Sequence, residues 1–134
     1  MTDNPVTPVE EPTNILSTIK KMLGIESDVT VFDTDIIMHI NSVLMILNQL
    51  GIGPSECFII TGTTEEWADF LGSSISLELV KSYIYLKVKM LFDPATNSTI
   101  QEATNRQIAE FEWRLLAQVE KDLILTEEEI IEDE

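Results

Sequence analysis

The chain has 134 residues, 44% of them apolar and 24% charged, which is enough for one domain with a real core. Its 24 acidic residues against 8 basic ones and one histidine give a formal charge of −16. That balance excludes an electrostatic grip on nucleic acid, which needs clustered Lys and Arg, and it argues against docking on anionic lipid.

Residues 1–12 (MTDNPVTPVEEP) hold three prolines and no apolar run. They read as a flexible N-terminal tail and not as a signal peptide. A first helix is predicted over residues 14–23, with Thr13 or Asn14 as cap and Gly24 as stop. Ile15, Leu16, Ile19, Met22 and Leu23 fall at helical spacing there, with Lys20 and Lys21 on the other side. A second helix is predicted over 34–50, capped by Asp33 and ended by Gly51. Ile36, Ile40, Val43, Leu44, Leu47 and Leu50 give it a wide apolar stripe, so it should sit in the core.

The next stretch, residues 51–63 (GIGPSECFIITGT), departs from the helical pattern. Phe58-Ile59-Ile60-Thr61 favours extended backbone between Gly-x-Gly-Pro and Thr-Gly. No second strand accompanies it in the sequence. It packs as an irregular loop, or it pairs with another chain.

A short third helix is predicted over 65–71, opened by the capping box Thr63-x-x-Glu66 and stopped by Gly72. The fourth spans 76–92 and carries two apolar stripes, which implies burial between neighbours. Lys81, Tyr85 and Lys89 share its remaining face, and Phe92-Asp93-Pro94 ends it. The fifth is predicted over 99–122, with Ile108, Phe111, Leu115 and Val119 as its buried stripe. Ser98-x-x-Gln101 and Thr99-x-x-Glu102 are alternative capping boxes for it.

Residues 120–134 hold eight acids and one lysine, a net −7, nearly half of the excess charge. Leu123, Ile124, Leu125, Ile130 and Ile131 are too many apolar residues for a purely solvating tail. Residues 123–134 are therefore either a disordered acidic tail or a segment that orders on a partner. The expected organisation is an N-terminal tail (1–12), a helical domain (13–122) and an acidic C-terminal tail (123–134). The fold class is all-α, a bundle of four to five helices with one extended loop between the second and third.

Chemistry has little to work with. His39 and Cys57 are single, with no base, second thiol or metal-ligand partner nearby in sequence. The terminal acids lack the alternating layout of a calcium loop, and no phosphate-binding glycine motif occurs. No catalytic residue, cofactor or metal is expected. No run is apolar enough to span a bilayer, and no membrane partner is expected. The chain reads as a protein that works through surfaces.

Four pieces carry a resemblance. They are the opening helix over 15–25, the helix end Leu47-Asn48-Gln49-Leu50-Gly51-Ile52-Gly53, the helix over 83–92 running into Phe92-Asp93-Pro94, and a final amphipathic helix with Glu112-Trp113-Arg114-Leu115. Their order and spacing over residues 13–118 resemble the small head–tail connector proteins of tailed bacteriophages, also described as head-completion, adaptor or DNA-packaging proteins. The family commonly has a second proline where Ala95 stands here.

The resemblance implies a structural virion protein, made in the host cytoplasm and placed at the head–tail interface. It implies a cyclic homo-oligomer, dodecameric in the virion, bound to the portal protein and to a downstream adaptor or tail protein. DNA would pass through its channel without specific binding. On that reading Glu56, Phe58, Ile59, Ile60 and Thr61 are candidate intersubunit or adaptor contacts. Leu123, Ile124, Leu125, Ile130 and Ile131 are candidate portal contacts. A different class remains open beside it: an acidic DNA mimic or inhibitor that binds a nucleic-acid-binding protein.

Overall fold

The computed structural model describes residues 11–74 and 76–132. The expected flexible tail lies almost wholly outside the described residues. Five helices follow in chain order: α1 (Ile15–Met22), α2 (Asp33–Gln49), α3 (Trp67–Leu71), α4 (Leu77–Phe92) and α5 (Ser98–Glu132). No strand occurs among the described residues, so the fold is the expected all-α bundle.

Helices α2 and α4 form the centre, α1 packs across both, and α5 lies along α4. Ile36, Ile40, Val43, Leu44 and Leu47 of α2 are buried against Val80, Tyr83, Ile84 and Val88 of α4. From α1 come Ile15, Leu16 and Ile19, and from α5 only Ile108 and Leu115. Burial of such side chains contributes about 1.5–3 kcal/mol each, the main favourable term of a fold this size. The two stripes read on α4 are thus explained, since it is covered on several sides.

Three helix starts differ in detail from the sequence reading. At α1 the expectation holds, and Asn14 Oδ1 accepts from the Ser17 amide at 2.8 Å. At α2 Asp33 is the first helical residue, with no capping bond. Its carboxylate turns instead to Lys20, whose Nζ lies 2.8 Å from Asp33 Oδ1. Lys20 was placed on the polar side of α1, yet it is only 4% exposed. Its ammonium also donates to the Val29 carbonyl at 2.7 Å, closing the α1–α2 connection over itself. A buried ammonium needs such partners, and the chain wraps round to supply them.

At α3 the capping box is shifted by three residues. Glu66 is the cap, and Asp69 Oδ2 accepts from the Glu66 amide at 3.0 Å. At α5 neither proposed box forms. Asn97 Oδ1 accepts from the Thr99 amide at 2.8 Å.

The larger departure is at the other end. Helix α5 does not stop at Asp122 but runs on to Glu132, 35 residues in all. At 1.5 Å per residue that is about 52 Å, well past the bundle it packs on. No glycine or proline follows Pro94 to stop it.

Candidate interaction surfaces

The segment between α2 and α3 is fixed by side chains from both sides. It begins as a turn at Gly51–Gly53. Gly53 has φ +90°, and a Cβ there would run into the Phe70 ring. The chain then extends alongside α2. Asn41 of α2 reaches it with both ends of its amide. Asn41 Oδ1 accepts from the Ile60 amide at 2.8 Å, and Asn41 Nδ2 donates to the Ile60 carbonyl at 3.0 Å. A side-chain amide presents the same donor–acceptor pair as a backbone peptide, so Asn41 stands in for the missing strand.

The next residues are held as firmly. Glu65 accepts from the Thr61 hydroxyl at 2.7 Å and from the Thr61 amide at 3.0 Å. Burial would raise the Glu65 pKa, but the bonds from Thr61 and Gly62 outweigh it and hold the carboxyl below its ordinary range. Phe58 stacks on Phe70 with ring centroids 5.2 Å apart. Farther on, the Ile15 amide donates to the Glu65 carbonyl and the Trp67 amide to the Thr13 carbonyl, both at 3.1 Å. Those bonds tie the end of the loop to the start of α1.

The five residues singled out in this loop therefore divide. Ile60 is in the core and Phe58 is half-buried against it. Thr61 is exposed but bonded to Glu65. Glu56 and Ile59 face outward. Of the two alternatives read from the sequence, the loop packs within its own chain at Phe58, Ile60 and Thr61.

The second surface is the free end of α5. Packing on the bundle reaches Val119. Beyond it every described side chain is exposed, including Leu123, Ile124, Leu125, Ile130 and Ile131. The helix places all five candidate portal contacts on one projecting rod. The upper part of α5 is anchored by a bond that sequence reading missed. The Tyr83 hydroxyl donates to Glu112 Oε1 at 2.7 Å. Burial, and then the adjacent Glu112 carboxylate, push the phenol well above its ordinary range. Spacing alone gives no sign of this pair, because it joins residues on different helices.

Cations are few and mostly engaged. Lys20, Lys21, Lys81, Lys89 and Arg114 each lie within 4 Å of a carboxylate. Lys81 also stands over the Trp67 ring, 5.6 Å from its centroid. Among the described residues no group of His, Cys, Asp and Glu is placed to hold a metal ion, and no helix is long and apolar enough to cross a membrane.

Comparison with protein families matches residues 15–122 to a family described as phage connector protein. Comparisons with curated proteins and with solved structures return no match. The match covers α1 to α4 whole and α5 as far as Asp122, just past Val119, where its packing on the bundle ends. With most of its length covered, the chain belongs to the phage connector protein family, structural proteins of the phage head–tail junction.

Proposed function

We propose that the chain is the repeating subunit of a dodecameric ring at the capsid portal vertex. The ring joins head to tail, extends the DNA exit channel and presents a surface to the next adaptor or tail protein. The family match over residues 15–122 carries this reading. Neighbours related by rotation contact one another through two different faces, so each subunit needs two complementary surfaces. The outward residues of the loop, Glu56 and Ile59, supply one, and the projecting end of α5 reaches toward the portal with Leu123, Ile124, Leu125, Ile130 and Ile131.

The structure alters how the loop is to be tested. Proline at Ile60 would remove both an amide that bonds Asn41 and a core side chain, so it would destabilise the monomer itself and would not isolate assembly. Ile59→Asp changes an exposed side chain and leaves that clamp intact.

The deciding experiment adds purified chain to portal-bearing capsids that lack it and images the vertex. A ring below the portal is the expected result. Absence of density there, with a salt-sensitive one-to-one complex with a basic protein instead, would mean the acidic-mimic reading is right. Ile59→Asp should then weaken ring formation, and deletion of residues 123–134 should weaken attachment to the capsid. Undiminished attachment of the truncated chain removes the portal contact from α5.

A further inference from the structure

The outward side of α5, from Trp113 to Ile131, has a repeat that the bundle does not bury. Leu116-Ala117, Leu123-Ile124 and Ile130-Ile131 recur every seven residues. On a helix that interval returns a residue to nearly the same side, so the pairs line up as one stripe. Trp113, Glu120 and Glu127 recur at the same interval and fall between the members of those pairs, along the stripe's midline. The stripe is separate from the face of α5 that buries Ile108 and Leu115. Its large apolar members are all exposed, from Leu116 at 40% to Ile131 at 70%. At the bundle end it opens onto a cleft of about 370 Å³ whose apolar lining is Leu79, Trp113 and Ala117, with Arg114 and Lys121 also on its wall, so the acidic part of the stripe is the part beyond it.

We propose that this stripe docks a cationic amphipathic helix of another protein. The inference rests on the reading of residues 123–131 as a contact surface and adds the chemistry of what they contact. The charge on the midline sets what can cover the stripe. A partner that covers the apolar pairs also takes Glu120 and Glu127 out of water. An unpaired carboxylate at such a seam is costly, so the partner must bring cations to it. The two glutamates are two turns apart, about 10.5 Å along the axis, which asks for Lys or Arg seven residues apart on the facing helix.

The same charges exclude the simplest alternative. A second copy of this chain would set glutamate against glutamate along the seam. Asp122, Glu128, Glu129 and Glu132 add to that repulsion, with only Arg114 and Lys121 against them. Arg114 is already held by Glu110 at 2.9 Å.

Trp113 lies on the stripe while Trp67 is buried, so Trp emission reports occupancy. The full chain is titrated with two synthetic helical peptides that share an apolar heptad and differ only in carrying Lys or Glu beside it. The Lys peptide should give a saturable blue shift and the Glu peptide none. Leu123→Gln with Ile130→Gln, which keeps the charge, should weaken binding about tenfold or more. Glu120→Lys with Glu127→Lys should transfer the preference to the Glu peptide. No Trp113 response, an equal response to both peptides, or full binding by the glutamine variant would overturn the proposal. So would self-association of the chain that the glutamine variant abolishes, since the occupant is then a second copy. The peptides are bound by the isolated chain and attachment is read on capsids, so the two readings can fail separately.

Discussion

Asn41 is the residue on which the least regular part of the fold depends. It sits on α2 beside the core stripe, and in sequence it is one polar break among several in an apolar run. Its amide takes both backbone groups of Ile60, a residue 1% exposed. Asn41→Leu fills similar space but leaves that amide and carbonyl without partners, which should cost about 2 kcal/mol in urea unfolding. A change under about 0.5 kcal/mol, within the ordinary range for surface positions, would show that the clamp contributes nothing. Tyr83 makes a different kind of bond, a buried phenol donating to Glu112. Its folded pKa is raised above the unfolded value, so its stabilisation is present below about pH 10 and is lost as pH rises beyond that. Tyr83→Phe should cost about 1–2 kcal/mol at neutral pH and flatten the alkaline fall in stability. An unchanged alkaline slope would mean that Tyr83 does not titrate on unfolding.

Helices were legible to the extent that their signals are local. The apolar spacing of α2 and α4, the glycine after α1 and the Phe92-Asp93-Pro94 stop all act within a few residues of themselves, and the structure keeps them. Lys20, Asp33 and Asn41 were misjudged or passed over because their partners come from other segments, and helix spacing says nothing about what lies across a turn. The two candidate surfaces stand out in the sequence as segments, but the inward and outward sides of the 56–61 loop become visible only against Asn41 and Phe70. The C-terminal part of α5 is less legible for another reason. Its core stripe ends at Val119, so apolar spacing gives no sign of the helix beyond it. Yet no residue after that point breaks a helix. An element without tertiary contacts adds little to the stability of the rest. Deleting residues 123–134 should therefore shift the unfolding free energy of the bundle by less than about 0.5 kcal/mol while lowering helical circular dichroism. A large loss of stability would mean that the projecting helix packs back on the bundle.

Across the whole molecule the charge of −16 acquires a distribution. Five of the eight cations stand beside carboxylates, so no cationic patch remains to hold phosphate. Glu120, Asp122, Glu127, Glu128, Glu129 and Glu132 carry the acid of α5 beyond the bundle, and on the proposed reading its midline glutamates select a partner. The rest is spread over the bundle, on residues such as Asp28, Asp35, Glu78 and Glu102. In the proposed ring, that spread charge would give a lumen that duplex slides past, because without Lys or Arg contacts there are no counterions to release and no adhesion. The consequence can be tested by reversing exposed acids in sets, Asp28 with Asp35 in one phage and Glu78 with Glu102 in another. A set that lines the channel should slow genome ejection, and added salt should restore it, since lysine–phosphate contacts weaken as salt rises. A set on the outer wall should leave ejection as it was and so mark which helices face away. If reversal of every exposed acidic set outside the α5 stripe leaves ejection at the native rate, the acidity does not serve the passage of DNA.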